Sequence, residues 1–234
     1  MITPASIKFT DALSYVMPPM LTVAGKVIPF CERPGFYCDF LSMHHRIIRA
    51  SVPLMEEALR QCLAIQETDE RALLLAEYFR LHIQEEQSHD EWLLQDLESI
   101  GYDRKTLLAE MPSGPIASLV GSQYYWIRHH HPLALLGYIG VLEGAPPTDA
   151  YIHKLQRATG FPQTAFRTLV KHSELDPGHK EELSHLLDTL CLNERELDMV
   201  IISAAHTIVH LVNVHEELYG SYEGGHSRQS SVAA

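Results

Sequence analysis

The stretch Thr68–Gly101, TDERALLLAEYFRLHIQEEQSHDEWLLQDLESIG, decides the fold class. Leu73, Leu74, Phe79, Ile83, Trp92, Leu93 and Leu97 recur every three to four residues, the period of an amphipathic helix. Thr68 can cap the start, Asp69 and Glu70 suit the positive end, and Gly101 stands just past the stop. One helix is expected over residues 69–99. Within it, His82-Ile83-Gln84-Glu85-Glu86-Gln87-Ser88-His89 sets a carboxylate between two imidazoles. At about 100° per residue, positions i, i+4 and i+7 fall within about 60° of one another. His82, Glu86 and His89 therefore share one stripe. Glu85, the rival to Glu86, lies about 100° around.

The same frame returns in His172-Ser173-Glu174-Leu175-Asp176-Pro177-Gly178-His179. Neutral imidazole with ionised carboxylate is the ligand set that suits non-haem iron and manganese. Pro177 pushes Asp176 away from helical angles, so this second frame is expected to converge across a kink or helix break. Between the two frames, Glu143 ends the apolar run Leu133–Leu142. A charge there is costly unless paired or bound to a metal. Three helices each offering acid or imidazole groups is the usual construction of a metal site in a helical bundle.

Working outward, helices are expected over 7–16, 36–66 (bent near Pro53), 115–129, 132–144, 148–159, 162–175, 179–190 and 194–219. Asn193 with Glu196 forms a capping pair for the last, and Gly220 ends it. No alternating strand pattern stands out. The expected fold is all-α, one compact bundle of about seven to nine helices in a single domain over residues 1–220. Residues 1–34, punctuated by Pro18-Pro19 and Pro34-Gly35, are expected to pack loosely or act as a lid. The polar tail Ser221–Ala234 is expected to be disordered.

Of 234 residues, 46% are hydrophobic, enough for a sizeable core. The formal net charge is −12 and there is no basic patch, which argues against nucleic acid and anionic membrane surfaces. No leader pattern and no apolar run of about 18 residues is seen, so no membrane span is expected. Cys31, Cys38, Cys62 and Cys191 lack C-x-x-C spacing, and reduced thiols in the cytoplasm fit them best.

Fifteen histidines invite a metal reading, but most have a plainer one. His44-His45 read as packing or surface, with Arg46 or Arg49 available to hold a substrate carboxylate. His206 and His210 have metal-binding spacing but no carboxylate between them, and with His215 they read as structural. His129–His131 read as capping or surface. Gln123-Tyr124-Tyr125-Trp126 reads as core or as one wall of an aromatic pocket. Glu56 or Glu57 could add a bridging carboxylate if its helix packs beside the site.

The order Glu-x-x-His, a lone Glu about fifty residues on, then His-x-x-x-Asp-x-x-His resembles the haem-oxygenase-like diiron oxidases, often labelled iron-containing redox enzymes. The resemblance covers about residues 36–219, and the last motif is its most specific part. Glu85–Trp92 and Gly137–Gly144 also look familiar from small members. The resemblance implies a haem-oxygenase-like bundle without haem, with Glu86, His89, Glu143, His172, Asp176 and His179 as metal ligands. Several members place the first Glu seven or more residues before the His. Here His82 stands seven before His89, so His82 is an alternative ligand or a partner of one.

The resemblance further implies two ferrous ions per chain, with dioxygen as co-substrate and a peroxo-diferric oxidant. A small amino acid or related carboxylic acid is the first expected substrate, oxidised by C–C or C–N cleavage, N-oxygenation or nitrile formation in specialised metabolism. The alternatives are fatty acid decarboxylation to a terminal alkene, a metal-free cofactorless relative, and a non-enzymatic metal-binding protein. Iron versus manganese, an external electron donor and a homodimer stay open.

Overall fold

The computed structural model describes residues 3–223. Among these there is no strand. There are twelve α-helices: α1 Ala5–Val16, α2 Pro18–Phe30, α3 Pro34–Ile48, α4 Ser51–Ile65, α5 Ala72–Glu86, α6 His89–Glu98, α7 Arg104–Ala109, α8 Gly114–His129, α9 Leu135–Leu142, α10 Asp149–Thr159, α11 Arg167–Thr189 and α12 Glu194–Glu223. Short 3-10 turns cover Pro132–Ala134 and Gln163–Phe166. The fold is all-α, as the periodicity predicts.

The helix count exceeds seven to nine because α2 and α7 carry little sequence signal and two long helices divide. The helix expected over 36–66 parts at Arg49–Ala50. Pro53 then stands in the first turn of α4, where its missing N–H has no partner to lose. The helix expected over 69–99 parts at Gln87–Ser88, where Ser88 takes a left-handed φ of 75°. Its first half starts at Ala72. Thr68 does not cap it: the Thr68 hydroxyl donates back to the Ile65 carbonyl, and Asp69 accepts from the Arg71 N–H.

The second frame departs in the opposite sense. Residues 162–175 and 179–190 do not make two helices. After the turn at Gln163–Phe166, α11 runs unbroken through Pro177. At the start of α12 the capping pair forms reciprocally, Asn193 N–H to Glu196 at 2.9 Å and Glu196 N–H to Asn193 at 3.1 Å. The helix passes Gly220, so Ser221, Tyr222 and Glu223, expected to be disordered, are helical. The remainder of that tail, 224–234, lies outside the described residues.

By length and composition α12 could also cross a membrane. Here it is the central helix, packed by α1, α2, α8 and α9, with Leu197, Val200, Ala204, Ile208, Leu211 and Val214 buried. It packs tightly against α9 at Gly137, where a Cβ would stand 2.1 Å from the Val200 carbonyl oxygen. Only glycine allows that contact, and it pins α9 with Glu143 one residue past its end. The N-terminal segment forms α1 and α2, which bury Phe9, Val23 and Val27. Two apolar cores result. One joins Leu54, Phe79, Leu119, Tyr138 and Val200. The other joins Val27, Phe36, Leu41, Leu97 and Phe166.

Candidate metal centre

The six positions implied by the resemblance all come together. The first frame is carried by the end of α5 and the start of α6. Glu86 is the last residue of α5, and the left-handed turn at Ser88 swings His89 back towards it. His89 Nδ1 and Glu86 Oε2 stand 3.1 Å apart without the alignment of a hydrogen bond. Glu86 is buried whereas the Glu85 side chain is 43% exposed, so Glu86 is the inward carboxylate. The second frame lies along one face of α11, because an unbroken helix stacks positions i, i+4 and i+7. His172 Nδ1 is 3.0 Å from Asp176 Oδ1, and His179 is buried one turn on.

The groups fall into two sets that share one residue. His82, Glu86, Glu143 and His179 each offer a ligand atom within 4.8 Å of the others. His82 Nε2 is 2.8 Å from Glu143 Oε1, and the His82 and His179 rings are 4.6 Å apart between centroids. The other groups are linked pair by pair: Glu86 to His89, the His89 ring to the His172 ring at 5.1 Å between centroids, and His172 to Asp176. Glu86 belongs to both: Oε2 faces His89, while Oε1 lies 3.8 Å from His179 Nδ1. His82, an alternative in the sequence, is thus part of the cluster.

The electrostatics follow from burial. Burial pushes the Glu143 carboxyl up, against the opposing His82 hydrogen bond. Its place at the C-terminal end of α9, where the helix dipole is negative, works in the same direction. For Glu86 burial acts upward too, but the contact with His89 and the charges of His89, His172 and His82 outweigh it and hold the carboxyl low. Burial opposes charge on His82 and His172. Glu143 and Asp176 respectively, through hydrogen bonds and charge, overcome it and raise both imidazoles.

The donor set fits a metal. Glu86 Oε1, Glu143 Oε2, both ring nitrogens of His89, His172 Nε2 and His179 Nδ1 are buried without a hydrogen-bond partner. Each such atom costs roughly 1–3 kcal/mol if nothing meets it. Their concentration in one place is what cation ligation would offset.

A cavity of about 880 Å³ opens on this cluster between the two cores. His82, Glu86, Glu143, His172 and Asp176 touch it, and most of its wall is apolar, from Phe9, Met55, Leu93, Tyr138 and Leu187 among others. Among the described residues that line it, Lys180 is the only Lys or Arg.

Several sequence readings move. Neither Arg46 nor Arg49 lines the cavity, and Arg46 pairs with Glu110. Tyr125 is exposed and Trp126 lines a separate surface pocket, so the aromatic run does not wall this cavity. Glu57 pairs outward with Arg60 and Arg128, and Glu56 is exposed. His206 and His210 face each other at 3.0 Å. His131 accepts from the Leu133 N–H, a cap as expected. The reading of His44 and His215 as packing residues misses their place on the cavity wall. Each donates Nδ1–H to the carbonyl four residues earlier, Phe40 at 2.9 Å and Leu211 at 2.7 Å. Burial, above all, pushes His44 down to about 3 and lowers His215. No spacing could flag two residues so far apart in the chain.

Residues 82–212, more than half of the chain, match the family described as iron-containing redox enzyme. The chain belongs to that family. Its matched segment begins at His82 and contains every residue of both frames. Among solved structures it is similar to a domain of unknown function with a haem-oxygenase-like fold from Shewanella denitrificans, at TM-score 0.74 and 18% identity over 98% of this chain and 95% of that one. It is also similar to a TenA homolog from Pseudomonas syringae pv. tomato, at TM-score 0.65 and 9% identity over 88% and 92%. A third is a CADD-like protein of unknown function from Nostoc punctiforme, at TM-score 0.64 and 16% identity over 94% and 97%. At these identities the likeness is one of fold. No curated protein matches the chain.

Proposed function

We propose that this iron-containing redox enzyme is a non-haem diiron oxidase that uses dioxygen to oxidise an apolar-chain carboxylic acid. The observation that carries the reading is a buried His82/Glu86/Glu143/His179 cluster, continued from Glu86 through His89 and His172 to Asp176, opening on a large apolar cavity. His82, Glu86, Glu143 and His179 would hold one ion, and Glu86, His89, His172 and Asp176 the other. Two ferrous ions there would supply the electrons that reduce dioxygen.

The chain's own residues set the rest. The apolar wall excludes water from the reacting end and takes up a hydrocarbon chain. Lys180, exposed at the cavity rim, can meet a carboxylate. About 880 Å³ lies near the top of the usual range of roughly 300–1,000 Å³ for ligand pockets. A small amino acid, the first expectation from the sequence, would leave most of that space unfilled and find no arginine there. The fatty acid alternative therefore becomes the favoured one.

The test is anaerobic loading with ferrous iron, then dioxygen, with two panels: saturated acids of rising chain length, and amino acids. Oxygen uptake and product mass are the readouts. Uptake that rises with chain length is expected. Uptake with amino acids alone would return the reading to the small substrate. No uptake by a chain holding two irons, with either panel, would count against an oxidase of these substrates.

A further inference from the structure

The two histidines of the first ligand set each face two ways. His82 presents Nε2 to Glu143 at 2.8 Å and Nδ1 to Glu85 Oε2 at 3.6 Å. His179 presents Nδ1 to Glu86 and Glu143, at 3.8 and 3.9 Å, and Nε2 to Glu85 Oε2 at 3.7 Å. Glu85 thus lies behind both rings, on the side away from the buried carboxylates. Glu182, one helical turn beyond His179 on α11, joins it, and His82, Glu85 and Glu182 offer ligand atoms within 4.8 Å of one another. Both carboxylates are exposed, whereas His82 is 1% exposed and its Nδ1 is buried without a hydrogen-bond partner. With Nε2 turned to Glu143, Nδ1 is the ring nitrogen that faces the acids. Two carboxylates and one imidazole nitrogen are donors suited to a cation, and the His82 ring is the one residue common to them and the buried set.

We propose that Glu85, Glu182 and His82 Nδ1 form an outer capture site, where a divalent cation binds before it passes to the buried centre. The site has a physical task. The buried ligands are removed from bulk water, and a hydrated divalent ion must lose water to reach them. Converging carboxylates at the surface raise its local concentration and replace part of its hydration. The two rings that span both tiers then give a continuous row of donors inward. The inference rests on metal binding by the buried centre, and the experiment separates the two.

Co²⁺ is mixed anaerobically with the full-length metal-free protein in a stopped-flow instrument, and loading is followed by the visible absorption of bound Co²⁺. The number of ions bound at saturation is measured separately. The double variant Glu85→Gln/Glu182→Gln should load at least tenfold more slowly at low micromolar Co²⁺. Its final spectrum and tightly bound ions should match the parent. The control Glu216→Gln/Glu217→Gln removes the same charge from exposed positions on α12 and should change the rate less than twofold. A double variant that loads as fast as the control would overturn the capture site. So would one that loses the parental spectrum, because Glu85 would then serve the buried ligands. If the parent takes up no Co²⁺, the buried centre itself fails and the outer site with it.

Discussion

The two His/carboxylate frames have identical spacing and opposite backbones. The first, His82 to His89, reads as continuous helix, yet it is cut at Gln87–Ser88. The second, His172 to His179, contains a proline and reads as broken, yet it is one helix throughout. Spacing decides which side chains can converge, and it does so by more than one backbone route. In α11 the three groups converge because helix geometry stacks them. At the α5–α6 junction the turn at Ser88 carries His89 to Glu86. The junction holds a non-glycine residue at positive φ, which costs on the order of 1–2 kcal/mol. Strained backbone of this kind tends to gather at functional sites.

Substitutions can break or sharpen this contrast, beginning with the residue that both ligand sets share. Glu86→Gln should weaken both metal sites together, by more than about 100-fold each, since outer partners of ligands alone cost 10–100-fold. Loss of one ion with the other intact, by anaerobic titration with metal analysis, would show that Glu86 serves one set only. Asp176→Asn should weaken one ion alone. The metal-free melting temperature should stay within a few degrees, because the amide keeps the shape and loses the charge. His172→Ala and His179→Ala should also lower metal binding, whereas His206→Ala, outside the cluster, should not.

The pH dependence follows from His82 and His172, one in each frame and both raised above 6.5. In the metal-free chain their ion-pair stabilisation is full below 6.5 and is lost as pH rises through the raised values. Metal competes for the same protons. Affinity should therefore climb over that window, by about tenfold per pH unit for each proton released, and then flatten. Calorimetry in buffers of different ionisation enthalpy counts the protons. Binding that releases none would remove these two rings from the ligand sets.

The backbone contrast is tested by a pair with smaller effects, read by denaturant unfolding of the metal-free protein. Pro177→Ala restores an N–H inside a continuous helix and should stabilise by about 2 kcal/mol, after allowing for the looser unfolded chain. Ser88→Gly relieves the left-handed turn and should stabilise by up to about 1 kcal/mol. A destabilising Pro177→Ala would contradict an unbroken α11. A destabilising Ser88→Gly would contradict the left-handed junction.

These cases show what the sequence made legible. The all-α class followed from three-to-four-residue periodicity, and the convergence of the six positions from two eight-residue frames and one acid in an apolar run. Backbone breaks were not legible. Ser88 carries none of the glycine signal that marks positive φ, and Pro177 carries the strongest breaking signal while packing in α11 overrides it. Long-range placement was equally hidden. His44 and His215 wall the cavity, and Arg46 turns out to Glu110, for reasons that belong to the packing of α3 and α12. The second nitrogens of His82 and His179, turned to Glu85, are a property of ring orientation that no spacing encodes.

The central claim is a dinuclear centre built by both frames across Glu86. It is tested most directly by titrating the metal-free protein with ferrous iron under anaerobic conditions and counting ions bound at saturation. A break at two equivalents per chain is predicted, falling to one tightly held ion in Asp176→Asn. Saturation of the parent at one equivalent would contradict it.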